Sequence, residues 1–305
     1  MAQKTIRFPT SFPSDETLRN NIQDTISYSW AIQNFCDNNI IAWLNNFQGE
    51  YFKKKDEQKI ALWLLSNYTY YNEKEVDHLC KILYKKFIHT YVIDHNLTEK
   101  TLLDSMKNFC YFPLGNASES GGFIAYQFRK QAKIGIDRFF YPSDNIEIDG
   151  NIAVFIDDVT LSATQAKTPI VEFVNKHSFD NVYLLTLISS TAAEKELLKY
   201  KIRTISCIEI DERNKCFSPQ SILFHKFPNL LAPVKGMCEY YGKKITSSYP
   251  LGYKNCQYLF GFYYNTPNNT LPIFWSNKNG WTPLFERKEK IKTDARIWRT
   301  FEKFI

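Results

Sequence analysis

The sequence predicts an α/β protein with a mostly parallel sheet, an N-terminal helical region and an irregular C-terminal extension. Short apolar runs at 151–156, 182–188 and 203–210 alternate with helical segments, which is typical of βαβ units. Before about residue 105, apolar residues recur at a spacing near 3.6, which indicates helices. Beyond about residue 212 the chain is irregular and rich in Tyr, Asn, Pro and Trp.

These differences in sequence pattern divide the chain into three predicted regions. Residues 1–105 would form the helical region, starting from a cap near Ser14. Residues 106–212 would form the α/β core, and residues 213–305 an extension packed on it. No composition break marks a free linker, so one integrated domain is the alternative.

Composition restricts the class of protein. The 305 residues are 44% hydrophobic and 23% charged, so the chain has enough apolar material for a core. A net charge of +6 modestly favours anionic ligands. The seven cysteines have no CxxC spacing, which argues against a zinc ribbon and favours reduced thiols in a cytoplasmic protein. The N-terminus has no signal-peptide core and no apolar run approaches the ~20 residues of a membrane helix, so we expect no membrane partner.

The segment Asn151–Lys167 carries the clearest chemical signal. An apolar strand runs into Asp157 and Asp158, and small or hydroxylated residues then open a helix. In parallel sheets ligands bind beyond the carboxyl ends of the strands, and a helix N-terminus stabilises a phosphate. Two carboxylates there can accept hydrogen bonds from a sugar diol and help to hold Mg²⁺ through water. An acidic pair alone also occurs in plain turns, so the prediction depends on the whole segment.

A second small-residue loop, Gly115–Gly122, follows the apolar run 109–114. Its Ser120-Gly121-Gly122 sequence would point N–H groups at an anion, and Arg129 or Lys130 could neutralise the charge. The alternative is an ordinary connection between a strand and the helix predicted at 123–133.

The order of strand, acidic pair and phosphate loop resembles the phosphoribosyl-diphosphate site of type I phosphoribosyltransferases. The resemblance implies a sheet of that family's type. It also implies that Asp157 and Asp158 are the catalytic residues, which bind the ribose hydroxyls and hold Mg²⁺ through water. The 5-phosphate would be bound by Thr160, Ser162, Ala163, Thr164 and Gln165, and the diphosphate by Ser120, Gly121, Gly122 and Arg129.

Two positions depart from that family's pattern. Residue 163 is alanine where most members have glycine, which allows a close backbone approach or a positive φ. Leu161 stands where purine-salvage members carry an acid, and leucine cannot exchange a proton. Ordinary oxopurine salvage is therefore disfavoured.

The whole chain, from roughly 40 to 290, looks like the phosphoribosyltransferase-like (PRTase-CE-like) domains of bacterial conflict and anti-phage systems. The resemblance rests on WLNNF…KIALWLL, the SGG loop, IDDVTLSATQ and LGY…NTPNNTLPIFW…WTPLFER, and Gln165 fits this subgroup. It implies an effector or accessory protein of a defence system that binds phosphoribosyl diphosphate, or a related ribose phosphate, with Mg²⁺.

Alternatives to that interpretation remain open. The chain could be an inactive adaptor or sensor that docks an operon-encoded defence ATPase, nuclease or reverse transcriptase, and so meets nucleic acid through that partner. Whether it is an enzyme, a glycosyl transferase if active, stays undecided. Unrelated phosphotransfer at Asp157 would need a lysine on another strand end, and the sequence offers no convincing one. Asn265, Asn268 and Asn269 are assigned a structural or lid role, with base or partner recognition as the alternative.

Overall fold

The structure is a computed structural model that describes residues 4–32, 35–115, 119–141 and 148–287. The helices are α1 Asp15–Thr25, which continues into a π-helical turn Ile26–Trp30, α2 Asp37–Leu44, α3 Lys54–Ser66, α4 Glu73–Asp94, α5 Glu99–Met106, α6 Ser120–Ala132, α7 Thr164–Val174, α8 Thr191–Leu198, α9 Pro228–Ile245 and α10 Pro272–Trp275. The strands are β1 Thr69–Tyr71, β2 Phe109–Pro113, β3 Ile152–Thr160, β4 Asn181–Ser190, β5 Ile202–Ile210 and β6 Phe260–Phe262.

The predicted α/β class with a parallel sheet is confirmed. Strands β2, β3, β4 and β5 form one sheet in that order, and every pair is parallel. Strand β3 does not end at Ile156, because Val159 and Thr160 still pair with Ile188 and Ser189 of β4. A separate parallel pair, β1 with β6, joins the N-terminal region to the C-terminal extension, and the sequence did not predict it.

The direction of strand addition reverses between β2 and β3. Helix α6 carries the chain to the outer side of β2, where Phe139 bridges Tyr111 in parallel and the N–H of Phe140 donates to the Tyr111 carbonyl at 2.9 Å. The chain then returns to β3 on the other side of β2. Helix α6 packs on one face of the sheet with α4, whereas α7 and α8 pack on the opposite face. Such a reversal opens a crevice at the carboxyl ends of the two strands, where ligands of α/β proteins bind.

The hydrophobic residues form three clusters. Two of them fill the faces of the four-stranded sheet, and α4 belongs to one of these although the sequence placed it with the N-terminal helices. The third joins α1, α2 and α3 to α9 and α10, so both ends of the described chain share one core. The division into three regions stays a prediction. In the part of the chain that the structure describes, no helix combines the length and apolar character needed to cross a membrane.

A buried carboxylate ties α3 to α9 inside that shared core. Glu57 is fully buried. Its Oε1 accepts from the N–H groups of Tyr51 and Phe52 at 2.7 and 2.9 Å. Its Oε2 accepts from the N–H of Gly49 at 2.7 Å and from the Tyr241 hydroxyl at 2.6 Å. Four donors compensate the loss of hydration, and hydrogen bonds to an ionised acceptor are the strong ones.

Replacing this carboxylate tests its contribution to stability. In Glu57→Gln an amide NH₂ replaces one acceptor oxygen and faces donors, so we expect the free energy of unfolding to fall by about 3 kcal/mol. Urea denaturation followed by circular dichroism measures the change. The matched control is Glu16→Gln, an exposed residue in the first turn of α1, for which we expect a change below about 0.5 kcal/mol. Equal effects of the two substitutions would contradict the assignment.

Candidate functional site

A cleft of about 300 Å³ opens at the reversal point between β2 and β3. Its floor is the end of β3, one wall is the loop that leads into α6, and the other wall is the C-terminal extension. Residues from these three segments and from α7 line it: Leu114, Gly115, Glu119, Ser120, Asp157, Asp158, Val159, Gln165, Pro169, Asn265, Pro267, Asn268, Asn269 and Arg287. The acidic pair and Ser120, which the sequence placed in two separate loops, therefore face one space.

The acidic pair is held by local donors. The N–H of Asp158 donates to Oδ1 of Asp157, and the N–H of Val159 donates to Oδ1 of Asp158, each at 2.9 Å. The Tyr264 hydroxyl lies 3.4 Å from the other oxygen of Asp158 and donates to it. The Ser120 hydroxyl, at the start of α6, also hydrogen-bonds to Asp158. Both carboxylates are half-buried and turned toward the cleft.

The surroundings of the pair favour protonation. Burial is the main cause that raises the pKa of Asp157 well above its usual range, and the negative charges of Asp158 and Glu119 add to it. Burial also raises the pKa of Asp158, but hydrogen bonds from Asp157 and Ser120 and the positive charge of Arg287 oppose the rise. Two neighbouring buried carboxylates share protons as a unit. A cation or a hydroxyl donor beside the pair would offset the cost of ionising it.

The predicted phosphate loop bends through a left-handed residue. Ala163, directly before α7, has φ 57° and is buried. The N–H of Thr164 donates to the Ser162 carbonyl at 2.7 Å, and that of Lys167 to the Ala163 carbonyl at 2.8 Å. A left-handed conformation costs an alanine roughly 1–2 kcal/mol and a glycine very little. The backbone at residue 163 thus has the left-handed turn that is typical of glycine, although the residue is alanine.

Thr160 adds a polar group that lacks a partner. Only 4% of its surface is exposed, and its hydroxyl has no hydrogen-bond partner among the described residues. It lines a small cavity with Asp157, Ser162 and Gln165 beside the loop. An unsatisfied buried hydroxyl costs about 1–3 kcal/mol, so this position favours a bound hydrogen-bonding group.

The predicted diphosphate residues are only partly brought together. Ser120 lines the cleft. Gly121 is a packing requirement, since a Cβ there would lie 2.0 Å from the carbonyl oxygen of Leu114. Gly122 and Arg129 do not line the described cleft, and Arg129 lies beside the Tyr126 ring at 5.7 Å, roughly 13 Å along α6 from its first residue. Residues 116–118 of this loop lie outside the described part of the chain.

Sequence reasoning missed the residues that other segments bring to the site. Lys254 of the C-terminal extension donates to the Thr164 hydroxyl, which places an ammonium group at the N-terminus of α7. Arg287 lines the cleft and donates to the Thr266 carbonyl at 2.6 Å. Tyr264 adds a phenol near the pair, and Glu119, which lies inside the predicted loop Gly115–Gly122 but was not singled out there, adds a third acid. No local spacing marks Lys254, Tyr264 or Arg287, because their contacts come from distant parts of the chain.

The described ranges contain no cluster of three or more His, Cys, Asp or Glu side chains that could hold a metal ion. A cation at the acidic pair would thus depend on water or ligand oxygens for the rest of its coordination, which is the usual situation for Mg²⁺.

The chain is similar to the crystal structure of orotate phosphoribosyltransferase from Aeropyrum pernix, at 16% sequence identity and a TM-score of 0.28. That match covers 35% of this chain and 61% of the other, so it spans less than two thirds of the orotate enzyme. A search of curated proteins found no match. The family model PRTase-CE matches residues 40–287, which is most of the sequence. The chain therefore belongs to the PRTase-CE family of phosphoribosyltransferase-like domains.

Proposed function

We propose that this protein binds phosphoribosyl diphosphate, or a related ribose 5-phosphate, together with Mg²⁺, and acts as an effector or accessory protein in bacterial anti-phage defence. One observation supports the proposed ligand. The acidic pair and the N-terminus of α7 lie together at the point where the direction of strand addition in the sheet reverses. The defence role rests on the resemblance of the sequence to domains of bacterial conflict systems.

Each part of the ligand has a matching group in the cleft. The ribose hydroxyls would donate to Asp157 and Asp158, whose oxygens line the floor. The 5-phosphate would lie at the N-terminus of α7, where Lys254 adds a positive charge and the helix dipole favours an anion. A diphosphate would extend toward Ser120 and Arg287 on the two walls.

Magnesium fits this donor set. Asp157 and Asp158 would hold it through water, as hard oxygen donors do, and the ligand's own phosphate oxygens would complete its shell. Bound there, Mg²⁺ would neutralise charge on the diphosphate. The side chain of Leu161, which is buried in the core, offers no proton-transfer group to an acceptor from this loop.

The acidic pair supplies the direct test of binding. Each lost hydrogen bond to an ionised acceptor is worth about 1.5–3 kcal/mol, so Asp157→Asn with Asp158→Asn should weaken binding at least about 100-fold. Calorimetry with phosphoribosyl diphosphate and Mg²⁺ measures this. The control is a double variant at exposed acids, Asp104→Asn with Asp137→Asn, which should bind as the wild type does. Absence of binding by the wild type would refute the proposal.

The raised pKa values predict opposite pH trends for stability and binding. Between the usual aspartate pKa, about 3.9, and the raised pKa of Asp157, the folded chain binds more protons than the unfolded chain. The pair's contribution to the free energy of unfolding therefore falls as the pH rises through this window. Binding of the ligand with Mg²⁺ should strengthen over the same window, because it needs the ionised pair.

Comparison of variants isolates this contribution. Thermal unfolding from pH 4 to pH 8 should show a steeper loss of stability in the wild type than in Asp157→Asn, which has no proton to release at that position. We also expect Asp157→Asn to be the more stable protein at neutral pH. Parallel pH profiles for the two proteins would contradict the assignment.

One feature favours a second candidate, an inactive adaptor or sensor that docks a defence protein. The buried methyl group of Ala163 occupies a turn whose φ of 57° suits glycine, beside the helix end where a phosphate would approach. If this methyl group disables the loop, the wild type should show no binding heat with phosphoribosyl diphosphate, and Ala163→Gly should restore binding. Purification from the native operon should then yield a stable complex without turnover. A monomer that turns over the ligand would exclude the adaptor.

A further inference from the structure

A larger cavity, of about 630 Å³, lies apart from the cleft. It opens where the N-terminal region and the C-terminal extension meet the carboxyl ends of β4 and β5. Ile188, Ile208 and Ile210 line it from the sheet, and Trp63 and Tyr258 line it from the two flanking segments. Its volume falls within the range of small-molecule sites. The sets of residues that line the cavity and the cleft have no member in common.

A buried hydroxyl in this cavity lacks a partner. Ser221 is 6% exposed, and its Oγ has no hydrogen bond within the described ranges, although its N–H donates to the Ser218 carbonyl at 2.9 Å. The amide side chains of Asn67 and Asn214 also line the cavity. A buried hydroxyl without a partner destabilises the folded protein. A polar ligand atom that bonds to Ser221 would therefore recover this lost free energy.

The rim of the cavity is positively charged. Arg213 is paired with Asp211 at 2.8 Å, which largely neutralises it. Lys226 is exposed, and no carboxylate of the described residues lies within ion-pair distance of it. His225 lies next to it on the same rim. An anionic group would be stabilised at Lys226, whereas the isoleucine floor favours an apolar body.

We propose that this cavity is a second ligand site, which takes a small molecule with an apolar body, a polar substituent and one anionic group. The apolar body would cover the isoleucines of β4 and β5, the substituent would bond to Ser221, and the anion would lie at Lys226. A ribose 5-phosphate has no apolar body of this kind, so the two sites select different ligands.

The probe 8-anilinonaphthalene-1-sulfonate has this chemistry, and N-phenyl-1-naphthylamine is its analogue without the anion. We expect one equivalent of the sulfonate to bind, with enhanced emission. Lys226→Ala should weaken sulfonate binding about fivefold and leave the uncharged analogue unchanged, since an exposed ion pair is worth up to about 1 kcal/mol. The matched control is Lys176→Ala, an exposed lysine outside the cavity, which should change neither affinity. Unchanged sulfonate affinity in Lys226→Ala, or binding of several equivalents, would overturn the proposal.

Two further variants distinguish ligand binding in this cavity from an effect on stability and from ligand binding in the cleft. Ser221→Ala should raise the melting temperature of the ligand-free protein, because it removes an unpaired buried hydroxyl, and should weaken binding of the sulfonate. A lower melting temperature with unchanged affinity would overturn the role of Ser221. The double variant Asp157→Asn, Asp158→Asn should bind the sulfonate like the wild type, and loss of binding would assign the probe to the cleft. Lys226→Ala should retain phosphoribosyl diphosphate binding if the proposed function holds, so failure of either site is recognised separately.

Discussion

The position of the C-terminal extension depends on one carbonyl oxygen with two indole donors. Trp43 of α2 and Trp281 both donate through Nε1 to the carbonyl of Ile273, at 2.7 and 2.9 Å, and all three residues are buried. A carbonyl oxygen has two lone pairs, so both bonds are satisfied at once. The rings also pack against Phe47 at 5.4 and 5.3 Å. This carbonyl fixes the extension to the N-terminal helices, while Tyr258, Phe260 and Phe262 of the extension pack in the core on one face of the sheet.

The Ile273 carbonyl and its two indole donors also position the wall of the cleft that the C-terminal extension forms. The N–H groups of Leu284 and Phe285 both donate to the Phe274 carbonyl at 2.9 Å, and the N–H of Arg287 donates to the Trp275 carbonyl at 3.0 Å. Arg287 is therefore placed by the aromatic core, and its charge opposes the rise in the pKa of Asp158. The acidic pair is costly to bury. A core shared by the N-terminal helices and the C-terminal extension supplies the stability that allows such a pair to persist in a cleft.

Local signals in the sequence predict a strand, an acidic pair and a helix start at the candidate site, because these three features are contiguous. The strand β3 itself continues through Asp157 and Asp158 to Thr160, beyond its predicted end at Ile156. Helix α6 begins at Ser120, earlier than the predicted 123, since Gly121 serves close packing against Leu114 rather than a loop. The β1–β6 pair escaped prediction, because three-residue strands far apart in sequence carry no periodicity. Lys254 reaches Thr164 across 90 positions, a contact that only the fold creates.

The charge distribution gives a physical reason to expect a cation with any phosphate ligand. The chain carries a net charge of +6, yet Glu119, Asp157 and Asp158 all face a cleft of about 300 Å³. A diphosphate in that space would repel the ionised carboxylates. Among the described residues, Arg287 lies on the wall of the cleft and Lys254 at the helix end. A divalent ion between carboxylates and phosphates would turn this repulsion into attraction. The same acids that raise each other's pKa in the free protein would then be ionised in the complex, which supports joint binding of ligand and Mg²⁺ over binding of either alone.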